Sequence, residues 1–327
     1  MIAAAPPRCS MDVSIILVSY NTADLLAECL RCIHQSPPTF RREIIVVDNA
    51  SRDRSAEFIK THHPECRLIA NATNVGFGRA ANQALQWAGG RYVLLVNTDA
   101  FVESDTIAKT IAYMDAHPNC GILGVKLVAR DGEVHPSARY FPTPWNMFVH
   151  RVGLQRFFKG VRMVDDMSWD QASVRHCDWV PGCYYLVRKA VIDQVGLFDP
   201  RYFLYQEEVD HCLAAKKAGW DVVCFPDTSV IHIGGQSAKS EGVGLVYSIG
   251  GQLEAQKIES ELLYFRKNHG IASAWISVLL TTLGDAIIVF KRLVKWRLPI
   301  DISVHTKHTT LVWSTFRRTS WGTRPTR

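Results

Sequence analysis

Nearly continuous apolar runs alternate with amphipathic stretches along the first 120 residues of the chain. Residues 14–20, 43–49 and 91–97 are runs of the kind found in strands that are buried on both faces of a parallel sheet. Helices are predicted between and after them, where apolar residues recur every three or four positions; they cover residues 22–33, 54–62, 79–88 and 105–116. This alternation predicts an α/β fold, in which a mostly parallel central sheet is flanked by helices.

The pattern becomes less regular after residue 120. Strands are predicted at residues 121–128 and 183–188, and helices at residues 207–219 and 250–269. The stretch between the two strands is rich in proline, arginine and aromatic residues, and it is too long for a simple connection. We therefore expect one large domain over residues 13–270, with a nucleotide-binding half at about 13–119 and an acceptor half at about 120–270.

The C-terminal residues 271–327 differ from the rest in composition. Residues 275–290 are apolar except for a few polar positions that include Ser277 and Asp285, and they fall short of the roughly 20 residues that span a bilayer. Residues 291–327 carry a net charge of +8, whereas the remainder of the chain carries −2. We predict an interfacial helix and a basic tail that bind an anionic membrane surface. The alternative is a helix that closes the core or joins two copies of the chain.

Three further features of the composition limit the classes of protein. The nine cysteines include only one closely spaced pair, Cys29 and Cys32, which lies inside a predicted helix and indicates buried thiols rather than a zinc site. No nucleic-acid-binding motif accompanies the basic tail, so a nucleic-acid partner is not expected. Residues 1–12 form an extension without the apolar segment of a signal peptide, which favours a cytoplasmic protein at the inner face of the plasma membrane.

Polar side chains stand where three of the predicted strands end. The carboxyl ends of adjacent parallel strands meet at one edge of a sheet, and ligands of open α/β sheets bind there. An acid at this edge, together with a divalent cation, is suited to hold a diphosphate. A second acid could accept a hydrogen bond from a pyrimidine base, or could instead close a local turn onto the backbone of Ser51. The polar residues at this edge are Ser19, Tyr20, Asn21, Asp48, Asn97 and Asp99.

Three later segments also carry candidate chemistry. Gly76 lies in a turn before a helix that contains Asn82, and a helix N-terminus of this kind favours a phosphate. Glu207, Glu208 and Asp210 cluster at the start of a predicted helix, where one carboxylate can act as a general base or where all three can simply stabilise the helix end. A further strand ends at His232, which is either a packed histidine or a ligand.

The ordered set of these motifs resembles the family 2 glycosyltransferases with the GT-A fold over residues 13–270. The matching segments read Val-Ser-Tyr-Asn, Val-Val-Asp-Asn-Ala-Ser, Asn-Val-Gly-Phe-Gly-Arg-Ala-Ala-Asn, Val-Asn-Thr-Asp, Val-Pro-Gly-Cys-Tyr-Tyr-Leu-Val-Arg, Gly-Leu-Phe-Asp and Glu-Glu-Val-Asp. The resemblance is to the bacterial rhamnosyltransferase-like branch, which often has asparagine at the first position of the Asp-x-Asp motif, as at Asn97 here.

The resemblance implies a role for each matching position. Asp48 resembles the residue that reads a uracil or thymine ring, and Asp99 resembles the ligand of Mg²⁺ or Mn²⁺. Asn97 lies near the ribose or the metal, and His232 matches a histidine that completes the metal shell. Glu208 falls where the family usually has an aspartate as the catalytic base. Glutamate is one methylene group longer than aspartate, which shifts the position of the carboxylate. Glu207 and Asp210 therefore stay alternatives for the base.

The sequence therefore predicts an inverting, metal-dependent glycosyltransferase. Its donor is a nucleotide sugar, dTDP-rhamnose or a UDP-sugar, and its acceptor is a glycan or a lipid-linked intermediate of cell-surface polysaccharide synthesis. A sugar-nucleotide pyrophosphorylase is a second candidate, although it would carry a Gly-rich, Arg-Lys signature where this chain has Ser19-Tyr20-Asn21. A non-catalytic membrane-binding protein on a degenerate transferase fold is the third.

Overall fold

The computed structural model describes residues 11–165, 168–234, 251–294 and 302–327. These ranges contain ten strands: β1 (Met11–Ser19), β2 (Arg42–Asp48), β3 (Arg67–Ala70), β4 (Gly90–Asn97), β5 (Ala100–Val102), β6 (Cys120–Val128), β7 (Val134–His135), β8 (Arg175–His176), β9 (Tyr184–Arg188) and β10 (Asp221–His232).

The same ranges contain nine α-helices. They are α1 (Ala23–His34), α2 (Ser55–His62), α3 (Phe77–Ala84), α4 (Thr106–Ala116), α5 (Pro144–Arg151), α6 (Lys189–Val195), α7 (Glu207–Lys217), α8 (Gln252–Val294) and α9 (Ile302–Arg318). The predicted helices of the first 120 residues agree with α1 to α4 to within a few positions. The predicted helix at 207–219 corresponds to α7, and the predicted helix at 250–269 is the first half of α8.

All ten strands join one mixed sheet. Its main path runs β3-β2-β1-β4-β9-β6-β10-β5, with β7 added to β6 and β8 added to β10. The pairs among β1 to β4 are parallel, as predicted for the nucleotide-binding half. However, β9 lies antiparallel to both of its neighbours, β4 and β6, and β5 lies antiparallel to β10, so the sheet is mixed although β6 and β10 pair parallel. Hydrophobic pattern does not encode strand direction, because a strand buried on both faces has the same composition in either orientation.

The apolar runs of the central strands are continuous because both faces of the sheet are covered. Along β1, Ile15 and Leu17 point into the core beneath α1, α2 and α4, and Ile16 between them points into the core beneath α3, α6 and α7. Successive side chains of a strand alternate between faces, so every position of such a strand must be apolar. The sheet is thereby held rigidly, and its carboxyl edge can position side chains accurately.

The C-terminal helices pack against the domain. Helix α8 bends at Gly270, whose φ of 82° is non-helical, and α9 folds back onto its second half. Val312 and Phe316 of α9 are buried in the same core as Leu262 of α8. Asp285 is also buried, and it pairs with Arg151 of α5. The predicted basic tail is therefore helical over most of its described length and is part of the folded body.

Candidate active site

The ends of β1, β2 and β4 lie side by side. Ser19 is in register with Asp48, and Val18 is in register with Asn97. A short chain of buried hydroxyl groups ties these ends together, since Thr22 Oγ1 lies 3.2 Å from Ser19 Oγ and 3.0 Å from Thr98 Oγ1. The sequence correctly placed these strand ends at one edge of the sheet. Thr22 and Thr98 were not among the predicted site residues.

Asn21 connects the loop after β1 to the loop after β2. Its backbone is left-handed, with φ of 53°, its backbone N–H donates to Ser51 Oγ at 3.0 Å, and its side-chain oxygen accepts from the Arg52 N–H at 2.7 Å. Tyr20 beside it is half-buried. Asparagine tolerates this backbone conformation better than most residues. Asn21 therefore shapes the rim of the site through its backbone and its amide together.

Asp48 has one satisfied and one unsatisfied carboxylate oxygen. Its side chain is buried, and Oδ2 accepts a hydrogen bond from the Ser51 N–H at 3.2 Å, which is the local turn contact that the sequence offered as an alternative. The other oxygen, Oδ1, is buried without a hydrogen-bond partner among the described residues. A buried acceptor that lacks a partner costs about 1–3 kcal/mol. Asp48 can therefore close the turn through Oδ2 and still offer Oδ1 to a ligand.

A group of side-chain amides that the sequence analysis missed holds the loop beside Asp48. Asn49 Nδ2 donates to Asn74 Oδ1 at 2.8 Å, and Asn49 Oδ1 accepts from the Val75 N–H at 3.1 Å and from Asn71 Nδ2 at 3.0 Å. The Asn49 amide is used as both donor and acceptor, and its bonds to Asn71 and Asn74 fix the loop in one arrangement. The recurrence of asparagine at positions 49, 71 and 74 was the feature of the sequence that could have indicated this group.

Gly76 and Asn82 contact protein rather than open space at this edge. A Cβ at Gly76 would lie 2.4 Å from the Phe203 carbonyl oxygen, and the Phe77 N–H donates to the same oxygen at 2.9 Å. Asn82 bonds the backbone of Phe198 through both ends of its amide, at 2.7 and 3.2 Å. The sequence expected a phosphate at this turn. The turn and its helix hold the 198–203 loop, because backbone atoms occupy the close approach that glycine allows, and the role of this turn in binding a phosphate stays a prediction.

Replacing Gly76 by alanine should destabilise the protein by more than about 2 kcal/mol. The φ of 88° is unfavourable for alanine, and the added Cβ overlaps backbone rather than a flexible side chain. Gly132→Ala is the matched control, because Gly132 has φ of 89° but a Cβ added there would meet nothing within 4 Å. Urea unfolding of both variants measures the difference. Equal losses at the two positions would show that the contact with Phe203 is unimportant.

Asp99 and His232 meet although 132 residues separate them. Strand β5, directly after Asp99, pairs antiparallel with the end of β10, and this brings His232 Nε2 to 3.6 Å from Asp99 Oδ1. Burial opposes protonation of the imidazole, but the Cys183 sulfur and the Asp99 carboxylate outweigh it and raise the pKa of His232 to about 10. Asn97 joins the group through its backbone N–H, which donates to the Cys183 carbonyl at 3.0 Å.

The donor set at this point suits a divalent cation. It combines a largely buried carboxylate with an imidazole, and Mg²⁺ and Mn²⁺ prefer oxygen ligands and leave further positions to water and substrate phosphates. Asp99 and His232 would supply two ligands to such an ion, and its other positions would be available to water and to phosphate oxygens. The residues present therefore fit the metal that the sequence predicted.

Glu208 lies in the first turn of α7 and faces the segment that precedes β9. A Cβ at Gly182 would lie 3.9 Å from Glu208 Cβ, which is an ordinary van der Waals distance and places Glu208 directly beside this segment. Glu208 Oε2 is buried and has no hydrogen-bond partner among the described residues. Burial raises the pKa of the Glu208 carboxyl, and the nearby Arg139, a charge that the sequence analysis overlooked, acts in the opposite direction.

Asp210 differs from Glu208 in its surroundings, whereas Glu207 shares with Glu208 a buried Oε2 that has no hydrogen-bond partner among the described residues. Asp210 is bonded to Lys267 Nζ at 2.6 Å and to Asn268 Nδ2 at 2.7 Å, so its oxygens already serve to attach α8. Glu207 is buried against α3 beside Gly78, and burial together with the neighbouring Glu208 raises its pKa. Because Asp210 already holds the fold together, it is poorly placed to accept a proton from a substrate, and Glu207 stays the alternative to Glu208.

The backbone immediately before α7 is unusual. Tyr205 and Gln206 both have φ of 69°, although neither is glycine. Each residue in this region costs about 1 kcal/mol relative to ordinary backbone. Residues held in this conformation cluster at functional sites, and these two precede Glu207 and Glu208 directly. The C-terminus reaches the same loop, where the Arg327 guanidinium lies 4.8 Å from the centre of the Phe203 ring.

Comparison with known proteins agrees with this geometry. Residues 14–169 match the model of the family described as "Glycosyl transferase family 2". The chain is 30% identical over 202 residues to N-acetylglucosaminyl-diphospho-decaprenol L-rhamnosyltransferase of Mycobacterium tuberculosis (strain CDC 1551 / Oshkosh), covering 58% of this chain and 66% of that protein. It is 24% identical over 235 residues to dTDP-rhamnosyl transferase RfbF of Shigella flexneri, covering 69% of this chain and 71% of that protein.

A solved structure agrees on the fold. The mannosyltransferase of Pyrobaculum calidifontis, solved in complex with GDP-Man and Mn²⁺, superposes with a TM-score of 0.54 at 15% identity, over 97% of this chain and 91% of that one. The mixed sheet with helices on both faces is therefore the GT-A fold. Taken with the sequence matches, this shows that the chain belongs to the family 2 glycosyltransferases and resembles the rhamnosyltransferases among them.

Proposed function

We propose that the protein is an inverting, metal-dependent transferase that moves a sugar from a nucleotide donor to a hydroxyl group of a glycan or lipid-linked acceptor. One observation carries the proposal. Three buried carboxylate oxygens have no partner among the described residues, Asp48 Oδ1, Glu207 Oε2 and Glu208 Oε2, and the proposed site also contains the Asp99–His232 pair. Buried acceptors without partners are costly, so their presence is best explained by groups that a ligand supplies.

In this proposal each side chain has one task. Asp48 accepts a hydrogen bond from the N3–H of a uracil or thymine ring and so selects the base. Ser19, Tyr20, Asn21 and Asn97 form the wall around the nucleoside. Asp99 and His232 would hold Mg²⁺ or Mn²⁺, which when bound neutralises the charge that develops on the departing diphosphate.

Glu208 acts on the acceptor. Its carboxylate takes the proton of the acceptor hydroxyl as that oxygen attacks the anomeric carbon, and the bond to the diphosphate breaks on the opposite face. Attack and departure on opposite faces invert the anomeric configuration. Gly76 and Asn82 act indirectly, because they hold the loop that leads into α7 and so position Glu208.

The names of the two relatives suggest the substrates. One is a dTDP-rhamnosyl transferase, and the other is an N-acetylglucosaminyl-diphospho-decaprenol L-rhamnosyltransferase. We propose dTDP-rhamnose or a UDP-sugar as donor and a lipid-linked intermediate of cell-surface polysaccharide synthesis as acceptor.

A comparison of donors tests this proposal. With Mn²⁺ present, dTDP- and UDP-sugars should raise the melting temperature of the protein, and GDP-sugars should not, because the larger guanine ring places its N–H donors farther from the ribose than the N3–H of a pyrimidine. Release of the nucleoside diphosphate should follow only with the correct sugar. An equal shift with GDP-sugars would contradict the role of Asp48, and the absence of any metal-dependent shift would contradict the transferase assignment.

We further propose that the second half of α8 binds an anionic membrane at the cytoplasmic face. Among the described helices, α8 is the one that is long and apolar enough to cross a membrane. Only 28% of its most apolar 18-residue stretch is buried in the protein. Ser277 and Asp285, two of the polar residues in this half of the helix, are buried against the protein. The outward side is an apolar stripe, whose members are 44–65% exposed: Ile271, Ile276, Leu279, Leu283, Phe290, Leu293 and Val294. Lys291 and Arg292 follow in the last turn.

Replacing Leu279, Leu283 and Phe290 together by glutamine should weaken vesicle binding at least about tenfold, since each removes apolar area from the contact. These side chains are exposed, so the fold should survive, whereas truncation at residue 269 would remove Phe316 from the core. Trp87→Gln with Val174→Gln controls for exposed apolar residues elsewhere. Co-sedimentation with phosphatidylserine vesicles measures the effect. If the triple variant and the control bind alike, the stripe serves a different purpose.

A further inference from the structure

A cluster of two histidines and one glutamate lies on the opposite edge of the sheet from the proposed donor site. His34 is the last residue of α1, His63 directly follows α2, and Glu65 lies in the turn that leads into β3. The donor-side residues lie at the carboxyl ends of the strands, where these helices begin. The cluster lies where the same helices end, and the proposed reaction makes no use of it.

The three side chains converge on one point. His34 Nε2 lies 3.0 Å from Glu65 Oε1, and His63 Nδ1 lies 3.1 Å from the same oxygen. One ligand atom from each residue lies within 4.8 Å of the other two, and the imidazole rings are 5.3 Å apart. Three nitrogen and oxygen atoms at this spacing can surround a single metal ion of tetrahedral preference.

The hydrogen-bond pattern of His34 requires a positive charge between His34 Nε2 and the Glu65 carboxylate. His34 Nδ1 lies 2.8 Å from the Leu30 carbonyl oxygen, which can only accept, so Nδ1 carries the proton. A neutral imidazole protonated at Nδ1 presents a lone pair at Nε2. That lone pair faces the Glu65 carboxylate oxygen at 3.0 Å, so two acceptors oppose each other. Either a second proton on His34 or a metal ion must lie between them.

The surroundings favour a metal ion. The bond from His34 to a backbone carbonyl is the contact that orients metal-binding histidines and fixes their tautomer. The Cys66 N–H donates to the His63 carbonyl at 2.9 Å across a turn that contains Pro64, which holds Glu65 in place. The C-terminal ends of α1 and α2 both lie here, and helix C-termini carry partial negative charge that attracts cations.

We propose that His34 Nε2, His63 Nδ1 and one oxygen of Glu65 bind Zn²⁺, with water as the fourth ligand. Two imidazoles and one carboxylate form a donor set that Zn²⁺ accepts readily and that Mg²⁺ does not prefer. The ion would join the ends of α1 and α2 and stabilise the nucleotide-binding half.

Zinc titration of the full chain by isothermal calorimetry tests this site. The wild-type protein and the variants His34→Gln, His63→Gln and Glu65→Gln are compared at pH 7.5 with excess Mg²⁺ present. Each substitution should weaken one zinc-binding event about tenfold or more, since each removes a ligand. The zinc-dependent rise in melting temperature should disappear together with this zinc-binding event. Co²⁺ in place of Zn²⁺ should give the visible absorption of a tetrahedral site in the wild type only.

Two controls separate this site from others. His117 directly follows α4, and its Nδ1 likewise lies 2.8 Å from a backbone carbonyl oxygen, but its ring stacks on Tyr113. His117→Gln should leave zinc binding unchanged, and Asp99→Asn should leave this binding event in place. Unchanged zinc affinity in both His34→Gln and Glu65→Gln would overturn the proposal and leave a protonated His34 as the bridging cation. Loss of the event in Asp99→Asn would assign the zinc to the donor site instead.

Discussion

Glu208→Gln should lower turnover roughly 10²-fold or more while leaving donor affinity almost unchanged. Glutamine has nearly the same shape as glutamate but cannot accept the proton of the acceptor hydroxyl. The buried Glu208 Oε2 has no described hydrogen-bond partner, so the substitution breaks no structural hydrogen bond at that atom. Steady-state kinetics with saturating acceptor measure turnover, and calorimetry with the donor nucleotide measures binding.

The pH dependence of the rate distinguishes a proton acceptor from a residue that only shapes the site. Burial raises the pKa of Glu208, so the base loses its charge at a higher pH than an exposed glutamate would. The wild-type rate should fall on acidification through this raised pKa, and the Glu208→Gln variant should lack that decline. Should Glu207→Gln be the inactive variant and Glu208→Gln remain active, the base is Glu207, one position earlier.

Asp99→Asn should abolish most of the metal-dependent part of donor binding. The substitution exchanges a charged oxygen ligand for a neutral amide, and hard divalent cations bind neutral ligands much more weakly. Affinity for UDP or dTDP in the presence of Mn²⁺ should drop about tenfold or more, and affinity in the presence of a chelator should change little. Calorimetry under both conditions provides the comparison.

Two further variants make this result specific. Asp227→Asn removes the charge of an exposed aspartate in β10 and should leave binding unaltered. His232→Gln should reproduce a smaller part of the loss, because His232 Nε2 lies 3.6 Å from Asp99 Oδ1 and would share the ion. Unchanged Mn²⁺-dependent affinity in Asp99→Asn would remove Asp99 from the metal site.

The sequence alone predicted those features of the fold and of the site whose contacts are local or are repeated along the chain. The apolar runs of β1, β2 and β4 are buried on both faces, and such runs can be recognised without knowing their neighbours. The polar residues that end these strands, among them Asp48 and Asn97, follow from the same pattern. Because β1 pairs parallel with both β2 and β4, their ends necessarily share one edge. The order of the motifs also identified the family.

The tertiary structure decided every feature that depends on contacts between distant segments. Nothing in the amino-acid pattern indicated that β9 enters the sheet antiparallel or that Gly76 meets the backbone of Phe203. The second half of α8 shows the reason most clearly. Its periodicity separates a polar side from an apolar side, but which side faces the protein depends on Arg151, which meets Asp285 across 134 positions of the chain. A buried ion pair of this kind turns the polar side inward and leaves the apolar stripe exposed, and a helical pattern read by itself contains no information about that partner.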